Sequence, residues 1–307
     1  MIRLVVRRLG STLLLSIAVV FFCALGLRMV AGSSRGPLHL LESAALDSAA
    51  FFRALARGDL GLVWRTVLRS RVPVPVSALI IDSYVKSMGL LLVALAFSAV
   101  LGIGTGMLAA YLEGSPLALA LLTSTLLGIS LPTFFTALLL QVIEITVYNR
   151  TGARLVPVGG FGWDSHLVLP ALVLAARPLA QLARISFTAL SSTAQEDYVR
   201  TAHAKGLQRR QVWREHILPN ASVSILTALG VSTRFSLGSL PVVEYFFGWP
   251  GAGATLLAAI RARQANLVIG LALALALTFV FVNLLLELGY RSLDPRLRQP
   301  GAQTQAE

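Results

Sequence analysis

The chain has 307 residues, of which 56% are hydrophobic and only 13% charged, with a formal net charge of +12 and a mean hydropathy of +0.75. A soluble globular protein carries about 25% charged residues, so this composition excludes an ordinary soluble domain. The basic residues are scattered between apolar runs, which favours anionic lipid head groups over nucleic acid as their counter-charge. Cys23 is the single cysteine, so neither an internal disulfide nor a thiolate metal cluster is possible.

Long apolar runs dominate the chain, and a helix needs about 20 such residues to cross a bilayer. Six stretches meet or approach that length: 9–31, 86–112, 117–146, 166–190, 221–243 and 266–290. They predict an all-α, polytopic integral membrane protein with about six transmembrane helices. The first run follows Arg3, Arg7 and Arg8 and has a cleaved signal peptide as an alternative interpretation, but it is long for a signal sequence. Basic residues in the short flanks favour cytoplasmic N- and C-termini.

The remaining segments complete the predicted organisation. Residues 1–31 form an N-terminal segment with the first span, and 32–85 form an extracytoplasmic segment in which 43–57 predicts a helix lying at the membrane interface. Residues 86–298 form a transmembrane core that includes a polar loop at 191–220. The polar tail 299–307 is predicted to be disordered.

The polar loop contains the most informative stretch, EDYVRTAHAKGLQRRQVWREHILPNA at 196–221. Its pattern predicts two short helices broken at Gly206, with Pro219 near the start of the next span. Each short helix has an apolar face, formed by Tyr198, Ala202 and Leu207 in the first and by Val212, Trp213 and Ile217 in the second. An alternative interpretation is a solvated basic loop, but such a loop would not need a glycine break between two apolar faces.

This stretch resembles the cytoplasmic coupling loop, or EAA loop, of permease subunits in ATP-binding-cassette importers. It is most similar to the dipeptide, oligopeptide and nickel permease family. Five further motifs match in order: RGDLG at 57–61, LGISLPTFF at 127–135, HLVLPAL at 166–172, VVEYFFGWPGAG at 242–253 and LDPRLR at 293–298. The long segment between the first two spans resembles the B-type member of the paired permeases.

The resemblance implies a type I importer transmembrane domain in the bacterial inner membrane. It implies three kinds of protein partner besides lipid: a second homologous permease, two ATPase subunits and an extracytoplasmic substrate-binding protein. The cargo would be di- or oligopeptides, with nickel chelates or oligosaccharides as alternatives. The residues expected to couple to the ATPase are Glu196, Asp197, Tyr198, Arg200, Ala202, Lys205, Gly206, Leu207, Leu218 and Pro219.

Three positions depart from the family pattern. AGSSRG at 31–36 replaces an acidic-proline pattern, and RQAN at 263–266 replaces an RDYP-like pattern. Both lie on the predicted outer side, so they bear on the cargo and the binding protein. Arg200 stands where the general EAA pattern has glutamate, which the peptide branch tolerates.

The chain has no phosphate-binding GxxxxGK[ST] motif, because neither of its two lysines, Lys86 and Lys205, has the glycines and the hydroxyl residue of that motif around it. ATP and Mg²⁺ are therefore expected on partner subunits, and this chain is expected to bind no cofactor and to catalyse no reaction. Its four histidines show no metal-ligand spacing. A membrane enzyme would need a catalytic constellation, and an ion-coupled secondary carrier would need paired acidic residues at midplane; the sequence indicates neither.

Ionisable residues inside spans are costly and mark functional candidates. Arg177, Gln181 and Arg184 lie on one face of the fourth predicted span, and Arg234 lies near the middle of the fifth. They are candidates for the wall of the translocation path, with pairing between helices or with the partner permease as the alternative. Glu144 and Glu244 are expected to snorkel to the outer interface, while Gly102, Gly104 and Gly106 are expected to allow close helix packing.

Overall fold

The computed structural model describes residues 2–30, 36–67 and 70–293. Residues 31–35 of the departure at 31–36, most of the LDPRLR motif and the tail 299–307 lie outside the described residues. The described part is built from helices and one small hairpin. Its elements are α1 (Ile2–Val30), α2 (Pro37–Ala56), β1 (Leu62–Val67), β2 (Ser70–Pro75), α3 (Val76–Tyr111), α4 (Pro116–Ser130), α5 (Thr133–Thr151), α6 (Val168–Ala194), α7 (Asp197–Ala204), α8 (Arg209–Val212), α9 (Leu218–Phe247), α10 (Ala252–Arg261) and α11 (Ala265–Leu293).

Within the described residues, five helical stretches are long and apolar enough to cross a membrane, or six if a bent pair of helices counts as one span. The pair is α4 and α5, between which the chain bends by 108°. The predicted third span, 117–146, therefore consists of two helices joined by a sharp bend. Leu131 and Pro132 both have extended backbones at the break, because proline disfavours the helical conformation in the residue before it and cannot donate a helical hydrogen bond.

The second span is longer than predicted. The helix was expected from residue 86, but α3 starts directly after Pro75 and has 36 residues, a length of about 54 Å. This exceeds the roughly 30 Å of a bilayer core, so part of α3 extends beyond the apolar layer.

The chain divides into two compact units, the first comprising Met1–Gly89 and Gly248–Phe281. The core of this unit joins side chains of α1 and α2, such as Ala24 and Phe51, to side chains of α11, such as Val268. The helix α2 covers the segment in which a helix was predicted. The antiparallel hairpin β1–β2, in which Leu62 pairs with Pro75, was not predicted.

The second unit comprises Leu90–Phe247 and Val282–Glu307. In it α6 packs against α9, α4 and α5. Gly102 and Gly106 of α3 face the α6 backbone so closely that a Cβ atom at Gly102 would lie 2.6 Å from the Leu179 carbonyl oxygen. The packing prediction is confirmed for these two glycines and wrong for Gly104, which faces open space.

Candidate functional site

The predicted glycine break in the polar loop is present in the structure. Gly206 has a left-handed backbone with φ of 82°. Its N–H donates to the His203 carbonyl at 2.9 Å, and the Leu207 N–H donates to the Ala202 carbonyl at 3.3 Å. These two hydrogen bonds form a Schellman motif, which satisfies the last carbonyls of α7 and ends the helix. Gly206 therefore fixes the turn between the two short helices.

The loop is anchored to the spans by one apolar face. Val199, Ala202, Val212 and Ile217 are buried in a cluster that also contains Leu190 of α6. Tyr198 was predicted on this face, but its side chain is on the other side and is 43% exposed. Val199 occupies the expected inner position instead, one residue along the helix.

The opposite face of the loop is charged and open to solvent. Arg200 pairs with Asp197 at 3.3 Å, with both side chains largely exposed. Partial burial, together with the charge of Glu196, raises the pKa of Tyr198. The exposed members of the predicted coupling set are Glu196, Asp197, Tyr198, Arg200, Lys205, Gly206 and Pro219. Ala202 is buried and Leu207 and Leu218 are half-buried, so these three positions pack the loop onto the spans.

A second attachment joins the loop to the C-terminal end of α3. The Arg209 guanidinium lies 4.0 Å from the centroid of the Tyr111 ring and donates to the Tyr111 carbonyl at 2.6 Å. The Trp213 ring meets the same tyrosine edge to face at 5.5 Å. The arginine thus satisfies a terminal helix carbonyl and makes a cation–π contact. The sequence pattern gave no signal for this clasp of Arg209, Tyr111 and Trp213.

The loop continues into α9 without a break. Arg209–Phe247 is one helical run of 39 residues, with a π-helical turn at Trp213–Ile217. Pro219 falls directly after this turn, where its missing N–H leaves a carbonyl one turn earlier without its usual partner. The Asn220 side chain donates to the nearby His216 carbonyl at 2.6 Å. The polar loop and α9 are therefore joined by a continuous helical backbone.

The polar stripe on α6 is exposed along one helix face, as its spacing predicts. Arg177 and Arg184 are exposed and Gln181 is half-buried between them. The Arg177 guanidinium lies 4.3 Å from the Phe235 ring centroid of α9. A cavity of about 250 Å³ adjoins Arg184 between α4 and α6.

Arg234 of α9 is also exposed. Among the described residues, no carboxylate lies within ion-pair distance of Arg177, Arg184 or Arg234. A charged guanidinium inside a span needs water or a partner group. Lipid alone would therefore not stabilise these three guanidinium groups inside a span.

The two glutamates expected to snorkel are buried instead. Glu144 is 5% exposed and accepts hydrogen bonds from the backbone N–H groups of Leu155 and Val156 at 2.8 and 3.1 Å. Glu244 is completely buried. The prediction was wrong because Glu144 binds the loop after α5, which the local sequence does not reveal.

The same loop is attached to the end of α9. The Gln141 amide donates to the carbonyls of Val158 and Phe246 at 2.9 and 3.1 Å. The Gly160 N–H donates to the Phe247 carbonyl at 2.7 Å. The last turn of α9 and the loop after α5 thus form one hydrogen-bonded structure.

Comparison with known proteins agrees with this arrangement. Residues 102–299 match the family described as the binding-protein-dependent transport system inner membrane component. The chain belongs to this family. It is thus a multi-pass inner-membrane permease subunit of an ATP-binding-cassette importer, and ATP is hydrolysed by separate ATPase subunits.

Two relatives illustrate how far the similarity of the permease extends. A Brucella suis biovar 1 protein named as a peptide permease is 34% identical over 228 residues, covering 73% of this chain and 72% of the relative. The dipeptide transport system permease protein DppB of Escherichia coli K12 is 29% identical, with 97% of this chain and 99% of DppB covered. The similarity to DppB thus includes the long segment between the first two spans.

A solved structure confirms the fold of the permease. The crystal structure of an amino acid ABC transporter with histidines superposes with a TM-score of 0.54 at 18% sequence identity. It covers 70% of the permease and 94% of the solved chain. The all-α, type I importer fold is therefore confirmed.

Proposed function

We propose that this permease forms half of a translocation path for di- or oligopeptides. Its partners would be one homologous permease, two ATPase subunits and a peptide-binding protein outside the membrane. Both termini and the loop 191–220 would lie in the cytoplasm, and segment 32–85 would lie outside. The relatives support the cargo, since one is named a peptide permease and another a dipeptide permease.

The observation that carries the proposal is the two-faced loop at 196–217. Its inner face is buried against the spans, while its outer face presents Tyr198 beside exposed charged groups. An aromatic ring surrounded by charges suits a protein interface. Because the loop is continuous with α9, a push from a docked ATPase would tilt that span.

The path itself would be lined by Arg177, Gln181, Arg184 and Arg234. Guanidinium groups without a carboxylate partner suit the C-terminal carboxylate of a peptide, which they can bind through two parallel hydrogen bonds. In the proposed cycle, ATP binding draws the ATPase pair together and opens the path outward to receive cargo. Hydrolysis then restores the inward-facing state.

Transport assays on the purified complex in vesicles test the proposal. We expect dipeptide uptake that requires ATP and the binding protein, and a tenfold or larger loss of uptake when Tyr198 is replaced by alanine, since interface hot spots contribute about 2 kcal/mol or more. Thr201→Ala is the control, because Thr201 is exposed on the same helix. Uptake by this chain alone, driven by an ion gradient, would identify a secondary carrier instead.

Cysteine labelling tests the orientation independently, after replacement of Cys23. We expect an impermeant reagent to reach a cysteine at the exposed position Asp59 or at Val158 from outside and one at Arg209 only from inside. The reverse pattern would overturn the assigned orientation while leaving the membership of the family unaffected.

A further inference from the structure

A cavity in the first unit has no part in the coupling or transport described above. It measures about 650 Å³, within the range of about 300–1,000 Å³ typical of small-molecule sites. It opens between α1, α2 and the joint from α10 to α11. Its walls are mainly apolar and include Phe22, Leu27, Val30, Ile260, Val268 and Ile269.

The charged residues that line the cavity are Arg28, Asp47 and Arg263. Arg28 forms a bidentate pair with Asp47, with distances of 2.7 and 2.8 Å. Arg28 lies in the last turn of α1, and Arg263 lies in the joint that precedes α11. The charged rim therefore sits at the ends of two spans, while the apolar walls continue along the spans.

Arg263 gives the rim its excess positive charge. Within the described part of the chain, Arg263 forms no ion pair with a carboxylate, while Asp47, which lines the same cavity, is paired with Arg28. Its backbone is left-handed, with φ of 54°, a conformation that costs a residue with a Cβ atom about 1–2 kcal/mol. Strain of this kind persists where the surroundings fix it, often at ligand clamps. The helix α11 begins two residues later, so the positive end of its dipole adds to the positive electrostatic potential around Arg263.

We propose that this cavity binds an anionic phospholipid. The phosphate would lie at Arg263, and an acyl chain would lie along Phe22, Leu27 and Ile269. This arrangement matches a lipid. The cationic groups lie at the ends of the spans, where a head group would be, and the apolar walls continue along the spans, where an acyl chain would be. The apolar walls would add no binding free energy for a free anion, and Arg263 would add none for an uncharged acyl chain. The 263–266 departure from the family pattern thus forms part of a lipid site.

The test uses the purified transporter complex after removal of lipid by detergent. Phosphatidylglycerol and phosphatidylcholine with identical acyl chains are titrated, and the thermal unfolding midpoint is recorded. We expect phosphatidylglycerol to raise the midpoint more than phosphatidylcholine does. In Arg263→Gln the apparent affinity for phosphatidylglycerol should fall about tenfold, as expected from the loss of a charge-assisted contact. Inorganic phosphate alone should leave the midpoint unchanged.

Arg150→Gln is the matched control, because Arg150 is also exposed at a helix end and does not line the cavity. This variant should respond to phosphatidylglycerol as the unmodified protein does. A second variant, Ala50→Trp, places a large side chain in the cavity and should abolish the lipid response in a complex that still assembles.

Three results would overturn the proposal. One is an equal response of Arg263→Gln and the unmodified protein to phosphatidylglycerol. Another is stabilisation by inorganic phosphate to the same extent. The third is capture of the second permease, rather than lipid, by a photoreactive residue at position 50, which would make the cavity a subunit contact.

Discussion

The turn at Gly206 allows coupling to be perturbed by backbone strain alone. A Cβ atom at this position would meet no atom within 4 Å, so a larger residue would cause no clash. The left-handed φ of 82° nevertheless disfavours any residue with a Cβ atom by about 1–2 kcal/mol. Gly206→Val should therefore weaken the end of α7 by that amount, which changes the ratio of ordered to frayed loop by about 5- to 30-fold.

The chain offers a matched control for this experiment. Gly114, in the turn between α3 and α4, has φ of 84° and also open space around it. Gly114→Val should introduce similar strain outside the coupling loop. Gly206→Asn should restore part of the function, since asparagine tolerates the left-handed region better than valine.

The assay compares basal ATPase activity with activity stimulated by the loaded binding protein in the reconstituted complex. We expect Gly206→Val to keep basal activity and to lose most of the stimulation and the uptake of dipeptide. Gly114→Val should keep both. Normal stimulation in Gly206→Val, or an equal loss in both variants, would refute the assignment of Gly206 to coupling.

Three further predictions concern contacts seen in the structure. Arg209→Gln and Tyr111→Leu should each weaken coupling. In thermal unfolding, the double variant should lose about 0.5–1 kcal/mol less unfolding free energy than the two single variants lose together, because both substitutions remove the same cation–π contact. Strictly additive losses would count against the clasp. Arg234→Gln should assemble and hydrolyse ATP normally but transport dipeptides more slowly, whereas failure to assemble would assign Arg234 to a subunit contact. Glu144→Gln should weaken the backbone hydrogen bonds of the following loop by about 1–2 kcal/mol, seen as faster amide exchange at 153–158, while Glu113→Gln, at an exposed turn, should leave exchange there unchanged.

The sequence predicted the features that depend on local pattern. The apolar runs identified the spans, and a glycine between two apolar-faced pieces predicted the turn at Gly206. Features that depend on distant partners were missed. The contact of Arg209 with Tyr111 joins residues far apart in the chain, and Glu144 is buried because a later loop supplies its donors. The break at Pro132 was missed because the apolar run continues through it, although the proline itself was the available signal.

The helical run from Arg209 to Phe247 has a mechanical consequence. At about 1.5 Å per residue a straight helix of 39 residues would extend about 58 Å, so a tilt of about 5° about one end would displace the other by about 5 Å; the π-turn at Trp213–Ile217 and Pro241 are the points at which the run can bend and reduce this displacement. The far end is hydrogen-bonded to the loop after α5, which would therefore move with it. If the run moved as one rigid body, it would act as a lever between the polar loop and the loop after α5. A protein bound at one end would then change the affinity at the other end, and by thermodynamic reciprocity a protein bound at that other end would change the affinity at the first by the same factor.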